Sequence, residues 1–216
     1  YKVTAYSFKN GTHVMFSHFG TMHSFSSSMM GIFNVYNLMA AVAAVHITTN
    51  KPLDEICEAL EGFAGVSGRM ETISSNPLII VDFAHTPDGM KEVLQSFNEK
   101  DIICVFGAGG DRDKAKRPLM GSVAASYSKH IIVTSDNPRF EDPDMIIEDI
   151  LKGIKSHKSV EVEINRKEAI KKAIAMADEN SVVLILGKGD ESTQTIYDKK
   201  FPFSDKEEVL KVLNKE

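Results

Sequence analysis

His130-Ile131-Ile132-Val133-Thr134-Ser135-Asp136-Asn137-Pro138-Arg139-Phe140-Glu141-Asp142-Pro143 makes three structural statements in succession. The run 130–133 is short, apolar and β-branched, which reads as a buried strand. Asn137-Pro138 reads as a turn, because proline drives the residue before it out of the helical region. Amphipathic spacing then predicts a helix over 143–155. A loop at the carboxyl end of a parallel strand is where open α/β sheets bind ligands. This one carries Arg139, whose planar guanidinium suits a carboxylate.

The same alternation extends outward from that stretch. Strands are expected at 78–82, 102–106, 130–134, 160–164 and 182–186, and helices at 87–97, 116–127, 143–155, 167–177 and 205–213. Thr86-Pro87-Asp88 is a well-formed helix start: a hydroxyl cap, proline in the first turn, then an acid facing the positive end of the helix dipole. The fold class is therefore α/β, a Rossmann-like, mostly parallel sheet flanked by helices. Upstream the pattern differs. Residues 1–28 alternate around Asn10-Gly11 and predict a β-hairpin, followed by helices over 34–46 (Val35, Leu38, Met39, Val42, Val45) and 53–63. A glycine-rich stretch over 62–68 marks a boundary, dividing an α+β segment, 1–67, from a domain over 68–216.

Composition narrows the function classes. The 216 residues are 43% apolar and 25% charged, as in an ordinary globular protein, with a net charge of -5. That balance offers no electrostatic reason to expect nucleic acid or an anionic membrane. No apolar run approaches the roughly 20 residues of a membrane span. Cys57 and Cys104 sit among apolar neighbours and read as buried free thiols, which fits the cytoplasm. Residue 1 is Tyr and already enters a strand-like pattern, so the chain is expected to begin inside a longer protein. His13, His18, His23, His46, His85, His130 and His157 are scattered without metal-ligand spacing, and no metal site is expected. A G-x-S-x-G elbow is absent, which argues against a nucleophilic hydrolase.

Four loops following strands are loaded with polar residues or glycine. They hold Asp82 and His85; Gly107, Gly109, Gly110, Asp111 and Arg112; Asp136 to Arg139; and Gly187-Lys188-Gly189-Asp190-Glu191. In a parallel sheet such loops share one edge and can converge on one crevice. For a single loop a polar turn is the better reading; for four together it is the lesser one. Taken alone, His85 reads equally as a donor or a helix-start residue, Asp82 as a turn cap or a ribose contact, and Glu191 as an ammonium acceptor or a helix-start acid. The 107–110 glycines lack dinucleotide-loop spacing and more simply let Asp111 and Arg112 turn into the crevice. Lys114, Lys116 and Arg117 read either as a solvated helix start or, because cations there oppose the helix dipole, as groups that mildly favour an anionic partner.

Read in order, these segments resemble the C-terminal portion of a Mur ligase of the UDP-N-acetylmuramoyl-tripeptide synthetase (MurE) type. The resemblance is carried by Gly31-Ile32-Phe33-Asn34-Val35-Tyr36-Asn37, Gly65-Val66-Ser67-Gly68-Arg69-Met70-Glu71 and Val81-Asp82-Phe83-Ala84-His85-Thr86-Pro87-Asp88. It continues through Val105-Phe106-Gly107-Ala108-Gly109-Gly110-Asp111-Arg112-Asp113-Lys114, Lys116-Arg117-Pro118-Leu119-Met120-Gly121, Asp136 to Arg139, and Gly187-Lys188-Gly189 with Glu191 and Gln194. It implies an ATP- and Mg2+-dependent ligase of peptidoglycan synthesis. In that chemistry ATP phosphorylates the D-Glu carboxylate of UDP-MurNAc-L-Ala-D-Glu, and the amine of a diamino acid attacks the acyl phosphate.

By the same resemblance, 1–67 would be the tail of the central ATP-binding domain and 68–216 the amino-acid-binding domain. Arg69, Asp82 and His85 would contact the nucleotide, while Arg112, Asp136, Asn137, Pro138, Arg139, Gly187 and Glu191 would hold the amino acid. The Asp-Asn-Pro-Arg run is associated in the family with meso-diaminopimelate, whose second carboxylate needs a cation. The Walker loop and the carbamylated lysine would lie upstream of Tyr1, so no catalytic residue is expected in this chain and it alone should not ligate. Two positions depart from the family pattern: Asp190 stands where His is usual, and Phe83 where Tyr is usual. Alternatives within the same chemistry are an L-lysine-adding ligase or a folylpolyglutamate or cyanophycin type. A non-catalytic amino-acid-binding module is the alternative outside it.

Overall fold

The computed structural model describes residues 1–8, 11–155 and 159–214. The chain divides into two compact units, Tyr1–Val66 and Ser67–Glu216.

In the first unit, β1 (Lys2–Ser7), β2 (Thr12–His18) and β3 (Thr21–Ser27) form an antiparallel sheet in that order, followed by α1 (Ile32–Thr49) and α2 (Leu53–Glu61). The single hairpin expected over 1–28 is thus a three-stranded meander. Its second turn is Phe19-Gly20, where both residues have positive φ (46° and 85°). That geometry matches the right-handed twist of paired strands, but phenylalanine gives no turn signal in sequence. Asn10, expected at the first turn, lies outside the described residues, as does His157. The sheet buries Val14, Phe16 and Phe25 against a helical stripe of Val35, Leu38, Met39 and Val42, with Leu53, Ile56 and Cys57 from α2. With 18 residues and a mean hydropathy of 1.4, α1 has the length and composition of a membrane span, yet this stripe belongs to the core of the unit.

The second unit is built on a six-stranded sheet in the order β4-β5-β9-β6-β7-β8. Its strands are β4 (Glu71–Ser75), β5 (Leu78–Asp82), β6 (Asp101–Phe106), β7 (His130–Val133), β8 (Val160–Val162) and β9 (Ser181–Leu186). All pairings are parallel except that of β4 with β5, so the expected α/β class is borne out. β4 was not legible in sequence. Apart from Ile73 it is polar, and a polar edge strand shows no apolar alternation.

One face of the sheet packs Ile79, Val81, Ile103, Val105, Ile132, Val183 and Ile185 against α6 (Arg166–Ala175) and α7 (Asp205–Leu213). The alternating residues, including Ile80, Ile102, Cys104 and Leu184, are equally buried and by pleat geometry point to the other face. Helices α3 (Pro87–Gln95), α4 (Lys116–Tyr127) and α5 (Pro143–Leu151) pack successively on one another. Each fully buried aliphatic side chain contributes about 1.5–3 kcal/mol, and the interiors of these strands are accordingly apolar. The expected cap at Thr86 is present, its hydroxyl accepting from Gly89 N at 3.1 Å.

From β5 to β8 the chain moves toward one edge, then β9 returns to lie between β5 and β6. The register pairs Asp82 with Leu186, Leu186 with Phe106, and Phe106 with Val133. Four strands therefore end level, and the four loops predicted to share an edge leave the sheet side by side. A further hairpin, β10 (Thr193–Ile196) with β11 (Lys199–Pro202), follows the β9 loop and was not anticipated.

Candidate functional site

The level strand ends enclose a crevice of about 190 Å³. His85, Arg112, Asp136, Asn137, Arg139, Gly187 and Glu191, all expected site residues, line it together with Phe83, Lys116 and the Gly107–Gly109 backbone. Arg69, Asp82 and Pro138 do not line it. Pro138 is buried behind the loop, its carbonyl accepting from Glu141 N at 3.0 Å, and it borders a neighbouring concavity of about 730 Å³.

The β7 loop is held from several sides. Asp136 Oδ1 accepts from Asn137 N at 2.6 Å, and the Asp136 carbonyl accepts from Gln194 Nε2 at 2.6 Å. Asn137 Oδ1 accepts from Thr195 N (2.8 Å) and Lys188 Nζ (3.1 Å), while its Nδ2 donates to Glu191 Oε2 (2.8 Å). Arg139 has a positive φ of 53° and is locked into the β10 hairpin: its N–H donates to Thr195 O at 3.1 Å, and its carbonyl accepts from Tyr197 N at 2.7 Å. Its Nη1 donates to Gly110 O at 2.7 Å. Nε and Nη2 have no hydrogen-bond acceptor among the described residues, which leaves donors for a carboxylate.

Sequence reasoning passed over Lys188. The side chain is wholly buried and donates to Glu191 Oε2 at 2.7 Å. Burial pushes the Glu191 carboxyl up, but the bonds from Lys188 and Asn137, with the charges of Lys188 and Arg139, outweigh it and hold the group below its ordinary value. The signal available in sequence was a lysine between two glycines at the end of an all-apolar strand, where only a paired cation survives burial.

Two glycines make the close approaches possible. Gly187 has φ +115°, and a Cβ there would lie 2.8 Å from Asp136 Oδ2; a Cβ on Gly68 would lie 2.0 Å from Asp190 N. Beneath the β9 loop, Arg166 and Asp205 form a fully buried ion pair (Nε–Oδ1 2.7 Å, Nη2–Oδ2 2.8 Å), and Arg166 Nη2 also donates to Leu186 O at 3.0 Å.

On the β5 side, the Arg69 guanidinium lies 4.3 Å from the Phe83 ring centroid, and His85 meets the same ring edge-on at 4.7 Å. Asp82 is buried and spans two backbone amides, Met70 N at 2.8 Å and Ala84 N at 2.7 Å, the turn-capping role. Burial keeps its carboxyl above the ordinary value despite those bonds and the Arg69 charge. The reading of Lys114, Lys116 and Arg117 as cations awaiting an anion needs correction. Arg117 is buried and pairs with Glu141 (2.8 Å) and Asp149 (3.0 Å), and Lys114 pairs with Glu141 (2.9 Å). Their charges are met within the fold; only Lys116 lines the crevice, donating to His85 O at 3.2 Å. No group of three or more metal-ligating side chains occurs among the described residues.

An open α/β sheet whose strand-end crevice presents cations and the carboxylates of Asp136 and Glu191 has the form of a site for small charged molecules. The chain belongs to the Mur ligase family: residues 68–189 match the family model described as Mur ligase, glutamate ligase domain. It is 49% identical over 213 residues to the UDP-N-acetylmuramoyl-L-alanyl-D-glutamate--2,6-diaminopimelate ligase of Wolinella succinogenes, covering 99% of this chain and 49% of that protein. A solved structure of a ligase of that name superposes with a TM-score of 0.73 at 34% identity, over 99% of this chain and 45% of the other. A folylpolyglutamate synthase from Mycobacterium tuberculosis, solved with ADP, shares the fold (TM-score 0.69, 19% identity, 86% of this chain and 44% of that one). The chain spans about half the length of the curated relatives it matches.

Proposed function

We propose that this chain is the C-terminal portion of an ATP-dependent amide ligase that adds meso-2,6-diaminopimelate to UDP-N-acetylmuramoyl-L-alanyl-D-glutamate in peptidoglycan synthesis, in the cytoplasm. The observation that carries the reading is the placing of Arg139 and Glu191 in one crevice, opposite charges set to grip an amino-acid zwitterion. Arg139, with Arg112, takes carboxylate; Glu191, held as its anion, takes ammonium. Asp136, Asn137, Pro138 and Gly187 shape the loops that present them. Diaminopimelate carries a second carboxylate that lysine lacks, and a charge-assisted contact to it is worth roughly 1.5–3 kcal/mol.

Arg69, Asp82 and His85 form the nucleotide side. The cation stacked on Phe83 suits a nucleotide's anionic and aromatic parts, and each Asp82 oxygen keeps a lone pair for a ribose hydroxyl beyond its backbone bond. ATP supplies the phosphoryl group that activates the acceptor carboxylate. We assign Mg2+ and the β- and γ-phosphates mainly to the upstream region of the full-length ligase. Residues 1–67 are read as the tail of the central ATP-binding domain and 68–216 as the amino-acid-binding domain.

The test joins this chain to the upstream region of its gene and measures ATP-dependent ligation with meso-diaminopimelate and with L-lysine. Preference for diaminopimelate is expected. Preference for lysine overturns the substrate, and ligation of neither overturns the activity.

A further inference from the structure

We propose that Lys188 is a positioning residue for the incoming amino acid: its buried ammonium locks Glu191 and Asn137 together so that one carboxylate oxygen of Glu191 is left to the substrate. This rests on the crevice being the diamino-acid site.

Burying an ammonium is costly unless it is paired and hydrogen-bonded. Lys188, wholly buried, meets that condition through Glu191 Oε2 at 2.7 Å and Asn137 Oδ1 at 3.1 Å. Stability alone does not explain it, since a well-packed apolar side chain commonly serves a buried site as well as an ion pair does. What an apolar side chain could not do is set orientation. Asn137 Oδ1 accepts from both Lys188 and Thr195 N, which fixes the amide and aims Nδ2 at Glu191 Oε2. Both donors thus fall on Oε2. Oε1 has no donor among the described residues and is free to accept a substrate ammonium in the crevice that Glu191 lines. Lys188 also keeps the carboxyl ionised in a setting where burial alone works the other way.

The experiment uses the full-length ligase, with Michaelis constants for meso-diaminopimelate and ATP measured between pH 6 and 8. K188M should raise the KM for diaminopimelate roughly tenfold or more at pH 7, with the KM for ATP within about twofold. The KM increase should steepen toward pH 6, because a protonated Glu191 no longer accepts the ammonium, whereas the wild type stays nearly flat. A K188M enzyme whose diaminopimelate KM matches wild type across this range overturns the proposal, as does an equal rise for ATP. The K188M/E191Q variant removes both charges of the pair, the buried ammonium and the half-buried carboxylate, and guards against misfolding of K188M alone. Because Lys188 acts through Glu191, its KM should lie within about twofold of E191Q; a further tenfold rise overturns the proposal. A wild-type enzyme that ligates no diamino acid would instead remove the reading of the crevice itself.

Discussion

Arg117 grips Glu141 with both terminal nitrogens, Nη2 to Oε1 at 2.8 Å and Nη1 to Oε2 at 3.0 Å, and so ties the start of α4 to the loop after β7. Glu141 Oε1 also accepts from Asp111 N at 2.6 Å, which brings the β6 loop into the same knot. The frame around the crevice is therefore ionic, although the crevice residues take no part in this pair.

That knot predicts a pH dependence. The Arg117 bonds, with Lys114 and Asp111 N, overcome burial and draw the Glu141 carboxyl down to about 2. A depressed acid stabilises the fold fully above its unfolded value, near about 4.3, and loses that contribution as pH falls toward about 2. Glu141→Gln should cost about 1.5–3 kcal/mol at pH 7. Its difference from wild type should shrink between roughly pH 4.5 and 2.5. Urea unfolding across that series checks it, and a difference that grows with acid would contradict it.

Asp205→Asn should be the more damaging change. It strands Arg166, which is fully buried with its partner, at a cost of about 3–5 kcal/mol. Replacing both residues by apolar ones of similar volume should recover most of the loss, because no uncompensated charge remains. Chemical denaturation of the single and double variants tests the contrast.

Gly187→Ala adds a Cβ 2.8 Å from Asp136 Oδ2 at a φ of +115°. A loss of about 1–3 kcal/mol is expected from strain of this kind, read as a lower denaturation midpoint with an unchanged slope.

Arg139→Ala tests specificity. Loss of the carboxylate contact proposed for Arg139, worth about 1.5–3 kcal/mol, should raise the diaminopimelate KM of the full-length enzyme about 10- to 150-fold. The KM for ATP should hold. An unaltered diaminopimelate KM would take Arg139 out of the site.

Much of this was legible in the amino-acid order. The runs at 78–82, 102–106, 130–134 and 182–186 are mostly apolar because their strands are buried on both faces, so the parallel sheet and its four polar loops could be read directly. The polar strands β4 and β10, and the turn at Phe19-Gly20, escaped because edge strands and tertiary contacts need carry no local pattern. Tertiary structure alone decided which charges remain available. Lys114, Arg117, Lys116 and Arg139 are alike in sequence as cations near a loop. The fold spends Arg117 on Glu141 and Asp149 and Lys114 on Glu141, and leaves Lys116 and Arg139 lining the crevice. Lys188 meets Glu191 within its own loop, but the level ends of β9, β6 and β7 brought Asn137, distant along the chain, to both. A side chain's charge is local, but what neutralises it is set by residues distant along the chain, and only the packed sheet brings those together.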